Sequence, residues 1–156
     1  MNAPRPAFRP AGPEELEAIT ALAIRSKRHW GYSDEFMEAL GPELTFRQAD
    51  LDDEHTRVEV IEAAGRLIGA IRMRRRTELA YLEDLWIDPT AIGHGYGRLG
   101  FERAVEIGRE WGKGVLELEA DPYAEAFYRH LGCVRVGMSP VATVPGRSVP
   151  VMRYAL

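Results

Sequence analysis

The 156-residue chain has a single cysteine, which excludes an internal disulfide and fits a reducing, cytoplasmic setting. No apolar run is long enough to span a bilayer, and the first residues, MNAPRPAFRP, lack the apolar core of a signal peptide. Basic charge is in deficit. The formal net charge of −4 argues against a nucleic-acid partner held through phosphate neutralisation. The four histidines are scattered and give no metal-ligand spacing, so no metal is expected. Internal repeats and low-complexity tracts are also missing. What remains is an ordinary globular composition, 46% hydrophobic and 28% charged, of a length that suits one domain, residues 1–156, around one core.

The most informative stretch is DLWIDPTAIGHGYGRLG, Asp84 to Gly100. It reads as a strand, a glycine-rich turn and the start of a helix. Gly93, Gly95 and Gly97 alternate with His94 and Tyr96, and glycine permits positive φ and close backbone approach. A helix leaves its first N–H groups without intrahelical partners. Those groups and the helix dipole favour an anion such as a phosphate. The plain alternative is a tight strand-to-helix turn with no ligand. Gly95-x-Gly97-x-x-Gly100 also matches the dinucleotide fingerprint, which would make the chain an oxidoreductase. In that fingerprint the glycines come directly off the strand, whereas here Asp88, Pro89, Thr90, Ala91 and Ile92 intervene. A Walker-type loop is excluded because no Gly-Lys-Ser/Thr follows.

Asp88-Pro89 followed by Gly93-x-Gly95-x-Gly97 resembles the acyl-CoA pyrophosphate loop of the GCN5-related N-acetyltransferases. Ala124-x-x-Phe127-Tyr128-x-x-x-Gly132 is similar to that family's second motif, and one helix and one strand separate the two, as in the family. The resemblance covers nearly the whole chain. The pattern departs at Ile92, where Arg or Gln is usual, at Asp121, where Asn is common, and at Cys133, where Phe is common. With Ile92 in place, the phosphate contact rests on backbone N–H groups.

In chain order, Ala7 to Arg9 reads as a first strand and Pro13 to about Lys27 as a helix, with Pro13 at its first position and Leu16, Ile19 and Ala23 at helical spacing. A loop with three aromatic rings, His29, Trp30 and Tyr32, follows; it is either a hydrophobic plug or a binding wall. Ser33 caps a short helix to about Leu40, which Gly41-Pro42 ends. Leu44 to His55 is acidic and reads as an exposed loop. Three antiparallel strands come next, Arg57–Ala63, Arg66–Arg74 and Glu78–Ile87, the first two joined by an Ala64-Gly65 turn. Arg72, Arg74 and Arg76 share a face, read as solvated, or else as a site for an acidic acceptor or a phosphate. The helix after the glycines runs to Trp111 with Phe101, Ala104, Val105 and Gly108 inward; Gly100 and Gly108 suggest close helix–sheet packing. Val115 to Ala120 is a strand, Asp121-Pro122 starts a helix, and Val134–Met138 and Val149–Leu156 are the last strands. The order β-α-α-β-β-β-α-β-α-β-β gives an α/β fold, a single layer of mixed sheet with helices on both faces.

The resemblance implies transfer of an acetyl group from acetyl-CoA, the cosubstrate, to a primary amine of a small molecule or peptide, by direct attack in a ternary complex. It implies that the backbone of Leu85, Trp86 and Ile87 meets the thioester arm and that Gly93, His94, Gly95, Tyr96, Gly97 and Arg98 cradle the pyrophosphate. Asp121, Ala124 and Phe127 complete the cofactor contacts, Tyr128 meets the cofactor sulfur as the acid, and His29, Trp30 and Tyr32 wall the acceptor pocket. By the same analogy a homodimer is expected. An amine must be neutral to attack, and a lysine-like amine is neutral in roughly one part in a few thousand at pH 7. Glu83 and Asp84 lie on the right strand for a base; alternation puts them on opposite faces, and Glu83 is favoured. Cys133 reads as a small core residue, since no histidine is placed to activate it. A non-catalytic acyl-CoA sensor is the remaining alternative.

Overall fold

The computed structural model describes residues 3–156. Seven strands, β1 (Ala7–Pro10), β2 (Thr56–Ala63), β3 (Arg66–Arg75), β4 (Ala80–Ile87), β5 (Val115–Glu119), β6 (Val134–Pro140) and β7 (Ser148–Ala155), form one sheet in the order β1-β2-β3-β4-β5-β7-β6. All neighbours run antiparallel except β4 and β5, which are parallel and paired only from Ala80–Leu116 to Leu82–Leu118. Five α-helices pack on the sheet: α1 (Leu16–Arg28), α2 (Asp34–Leu44), α3 (Gln48–Asp52), α4 (Tyr96–Glu110) and α5 (Glu125–His130). Among the described residues no helix is long and apolar enough to cross a membrane. This is the mixed α/β layer expected from the sequence.

The sheet buries both faces. On one, Ile71, Met73, Leu82, Leu116 and Leu118 meet Phe101, Ala104 and Ile107 of α4, with Tyr128 of α5 at the edge. On the other, Val58, Val60 and Ala70 meet Ile19 and Ala23 of α1, Met37, Leu40 and Leu44 of α2, and Phe46. Full burial of each such aliphatic side chain stabilises by about 1.5–3 kcal/mol. Alternation along β3 and β4 decides which residues look to α4 and which to α1, and so which line the region between β4 and β5.

Three local expectations need correction. The helix after Ser33 does not stop at Gly41-Pro42; α2 continues to Leu44 with Pro42 inside it. Leu40 and Leu44 prolong the buried face begun by Met37, and that burial outweighs the hydrogen bond the proline cannot donate. The acidic stretch to His55 is not an exposed loop. Phe46 is buried with its N–H on Thr20 Oγ1 at 2.9 Å, and Asp50 is buried in α3, accepting the Arg47 N–H at 2.9 Å. Arg72 is not solvated: it is 3% exposed and lies over the Phe46 ring at 4.1 Å. The first turn of the expected Pro13 helix is a 3-10 turn, Pro13–Glu15, with α1 beginning at Leu16.

Close packing sets three glycines. A Cβ on Gly100 would come within 2.6 Å of Leu85 Cδ1, and one on Gly108 within 2.8 Å of Leu156 Cδ1. At Gly69 the obstacle is backbone, the Trp86 carbonyl at 2.5 Å, where no side-chain rotation gives relief. Gly69→Ala should therefore destabilise the fold by about 1–3 kcal/mol, read as a lower Tm in thermal unfolding. Gly114→Ala, which meets nothing within 4 Å, should leave Tm nearly unchanged.

Candidate functional site

β4 and β5 part after Leu82 and Leu118, and a cavity of about 730 Å³ opens between them. That is the size of a cofactor or drug-sized ligand site. One wall is β4 from Tyr81 to Ile87; another is the glycine turn with Ala124, Phe127 and Tyr128. The end of α1, the end of α2 and the β6–β7 connection close the remaining sides. The strand backbone facing the gap has lost its neighbour and is free to pair with a guest.

The glycine turn is built as an anion cradle. Gly93 and Gly95 have φ of +91° and +81°, which glycine adopts without strain. Gly95 caps α4 with no side chain to accept from the helix start. The first intrahelical bond runs from the Leu99 N–H to the Gly95 carbonyl at 3.2 Å, so the Tyr96, Gly97 and Arg98 N–H groups precede the ladder and point out of it. Gly97 is already helical; its reason is space, because a Cβ there would press on Phe127 Cζ at 3.2 Å. The single turn Pro89–Ala91 separates these glycines from β4, which removes the geometry of a dinucleotide fingerprint.

Two Asp-Pro corners end the parted strands. Asp88 accepts the Thr90 N–H at 3.0 Å and Asp121 accepts the Tyr123 N–H at 2.8 Å. The second oxygen of each turns to α1: Arg25 pairs with Asp88 at 2.7 Å, and buried Lys27 with Asp121. Asp121 also accepts from the Tyr32 hydroxyl at 2.8 Å, which in turn accepts from Arg147 at 2.8 Å. Burial holds the Lys27 pKa below its ordinary value despite Asp121, and burial together with Asp121 pushes the Tyr32 phenol up to about 12. One helix thus clamps both strand ends.

A bulge in β4 changes the expected directions of its carboxylates. Arg72 pairs with Asp84 and Met73 with Leu82, leaving Glu83 as the extra residue. Strict alternation fails there, and both carboxylates reach the same guanidinium: Arg72 Nε is 2.6 Å from Asp84 Oδ2 and 3.6 Å from Glu83 Oε2. Arg74 pairs with Glu83 and, at 2.9 Å, with Asp50. Asp84 is 5% exposed and also accepts the Trp86 indole N–H at 3.0 Å. Burial pushes its carboxyl up to about 6, although Arg72 works in the other direction.

Of the residues singled out from sequence, Glu83, Leu85, Trp86, Ile87, Gly93, Gly95, Tyr96, Gly97, Arg98, Asp121, Ala124, Phe127, Tyr128 and Trp30 line the cavity, and His29, Tyr32 and His94 do not. Trp30 is no buried plug: it is 42% exposed and stacks on Tyr123 at 5.4 Å. Tyr32 stacks on Phe36 at 4.2 Å and supports the wall from behind. Tyr128 is 9% exposed; burial raises its phenol pKa, and its hydroxyl has no protein partner among the described residues. Cys133 is buried, its thiol pushed up to about 11 by burial, so it stays protonated and unreactive. Sequence reasoning missed Lys27, Tyr81, Glu119 and Arg147 as lining residues.

The Arg72 cluster yields a test. Arg72→Met leaves Asp84 and Asp50 buried without their cation, a loss of about 3–5 kcal/mol. A carboxyl whose folded pKa lies above its unfolded value favours folding at low pH and loses that advantage as pH rises. The Tm deficit of the variant should therefore be larger at pH 8 than at pH 5.

Comparison with known proteins adds the family. The chain superimposes on a GCN5-related N-acetyltransferase from Rhodopseudomonas palustris with a TM-score of 0.80 at 20% identity, covering 100% of this chain and 99% of that one. It superimposes on the PaiA N-acetyltransferase of Thermoplasma acidophilum, solved with coenzyme A, with a TM-score of 0.78 at 18% identity over 97% and 99% of the two chains. For the ribosomal-protein alanine N-acetyltransferase of Escherichia coli the TM-score is 0.70 at 17% identity over 97% and 94%. At these identities the likeness establishes the fold. No curated protein sequence matches the chain. The acetyltransferase (GNAT) family model matches residues 17–133, from α1 to the end of α5 and so across the cradle, both Asp-Pro corners and Tyr128, and by that match the chain belongs to the acetyltransferase (GNAT) family and is an enzyme of acetyl transfer.

Proposed function

We propose that the protein acetylates a primary amine of a small molecule or peptide, the amine attacking acetyl-CoA while both are bound. The observation that carries this reading is the gap between β4 and β5, with the uncapped start of α4 at one end and the Tyr128 hydroxyl inside. Coenzyme A fits what the gap offers. Its pyrophosphate suits the Tyr96, Gly97 and Arg98 N–H groups, and its pantetheine amides suit the unpaired edge of Leu85, Trp86 and Ile87.

Acetyl-CoA brings an activated acyl group and a thiolate leaving group. The chain supplies orientation, charge stabilisation and proton traffic. A β4 backbone N–H near Trp86 stabilises the oxygen as it becomes negative. Tyr128, held neutral by burial, donates a hydrogen bond or its proton to the departing sulfur. The amine proton goes to the Glu83–Asp84 bulge. Sequence alternation favoured Glu83, but Arg74 and Arg72 hold its carboxylate. Asp84, pushed up to about 6, is the better base for an amine. Trp30 and Tyr123 flank the mouth through which the acceptor enters.

The reading is tested by following thiol release from acetyl-CoA across a panel of amines, with binding measured by calorimetry. Coenzyme A should bind and the panel should release thiol. Gly95→Val, which places a β-branched residue at φ +81°, should abolish most of the affinity while the protein stays folded. Unchanged affinity in that variant would make the cradle a mere turn.

Catalytic roles predict a different pattern. Tyr128→Phe keeps the ring, so Tm and acetyl-CoA affinity should hold while kcat falls by about 10²-fold. Wild-type kcat/KM for the acceptor should drop as pH falls through about 6, because the base is then protonated. Glu83→Gln should preserve that pH limb; its disappearance in the variant would return the role to Glu83.

A further inference from the structure

The acceptor end of the cavity holds one carboxylate that the protein does not neutralise. Among the cavity-lining acids, Glu83 and Asp84 share Arg74 and Arg72, Asp121 is bound to Lys27, and Glu43 accepts from the Thr143 hydroxyl at 3.0 Å. Glu119 lines the cavity and has neither ion pair nor hydrogen bond among the described residues. It stands just past the last β4–β5 pair, Leu82–Leu118, at the point where the strands part.

Beside it is a second, independent feature. Tyr81 lines the same cavity and is 8% exposed, yet its hydroxyl has no protein partner among the described residues. A buried hydroxyl left unpaired is unfavourable, so this one is built for a guest. Burial raises its pKa, and the Glu119 carboxylate adds to the effect, as expected of near neighbours. The outer face of the Tyr81 ring is already covered by Arg76 at 3.7 Å. That cation is turned toward Glu117 at 3.8 Å, not toward Glu119. A carboxylate that only accepts, next to a phenol that accepts as well as donates, matches the three N–H donors of an ammonium.

We infer that Tyr81 and Glu119 form a cation subsite and that the acceptor is a diamine or polyamine: one amine is acetylated while a second, protonated amine is held at this subsite. The inference rests on the acetyl-transfer reading and narrows its acceptor class. It also says what the site rejects, since an acceptor that places a carboxylate here would meet Glu119 without a cation between them.

The test compares 1,4-diaminobutane and its longer homologues with the matched 1-aminoalkanes, by thiol release from acetyl-CoA. The diamines should show kcat/KM about 10- to 100-fold higher. Glu119→Gln should remove most of that advantage and Tyr81→Phe part of it, each costing the monoamine far less. Calorimetry on the same variants should give wild-type coenzyme A affinity. Equal use of diamine and monoamine would overturn the subsite, as would a Glu119→Gln loss that is the same for both, or a best acceptor that carries a carboxylate. Those results leave acetyl transfer standing. Failure of the wild type to bind coenzyme A would overturn both.

Discussion

Two parallel strands that stay paired from Ala80–Leu116 to Leu82–Leu118 and then part set the terms for the rest of the molecule. Parting them exposes backbone N–H and C=O groups that a continuous sheet would satisfy, so the gap persists only if something else holds the strand ends. That restraint is α1. Its Arg25 and Lys27 reach Asp88 and Asp121, the residues that turn the chain out of β4 and β5. Each aspartate uses one oxygen to cap its own corner and the other to bind the helix. The apolar face of α1 is locked on the sheet by Ile19 and Ala23, so the clamp inherits the rigidity of the core. A preorganised gap of this kind keeps the ordering cost of binding low.

Buried charge is concentrated on the α1 side of the same opening. Arg72 binds Asp84 and Asp50, Arg74 binds Asp50 and Glu83, and the main-chain carbonyls of Thr45 and Glu43 take further Arg72 N–H groups at 3.1 and 3.3 Å. Such a network is weak evidence for stability. Its function is positional: it fixes the β4 bulge and keeps a carboxyl of raised pKa, Asp84, against the cavity. The buried cation Lys27 is likewise committed to structure, with its charge spent on Asp121. The unmatched carboxylate of Glu119 stands out against this background because nearly every neighbouring charge has a fixed partner.

Much of this was legible in the sequence because it is local. Alternation gave the strands, the Ala64-Gly65 turn has both residues at positive φ as a tight hairpin needs, and the glycine spacing marked the start of α4. What was not legible depends on contacts distant in sequence. Arg72 reads as a surface residue until α3 brings Asp50 to it, and Asp50 sits in a stretch whose acidity suggests exposure. Pro42 is a helix breaker in isolation, yet the buried Leu40 and Leu44 carry α2 through it. The bulge at Glu83 has no composition signal, so alternation placed the two carboxylates on opposite faces. Lys27 gave no sign of burial, because its partner lies at Asp121. Tyr81 and Glu119 flank the break in pairing, and a break in pairing cannot be read from either strand alone.

Backbone amide exchange, followed residue by residue with and without coenzyme A, tests the central claim most directly, because the account assigns binding to main-chain groups. Coenzyme A should slow exchange at the Tyr96, Gly97 and Arg98 amides and along Leu85 to Ile87, with β1 and β6 unaffected. Protection confined to other segments, or none at saturating coenzyme A, would contradict the claim that the gap between β4 and β5 is the acetyl-donor site.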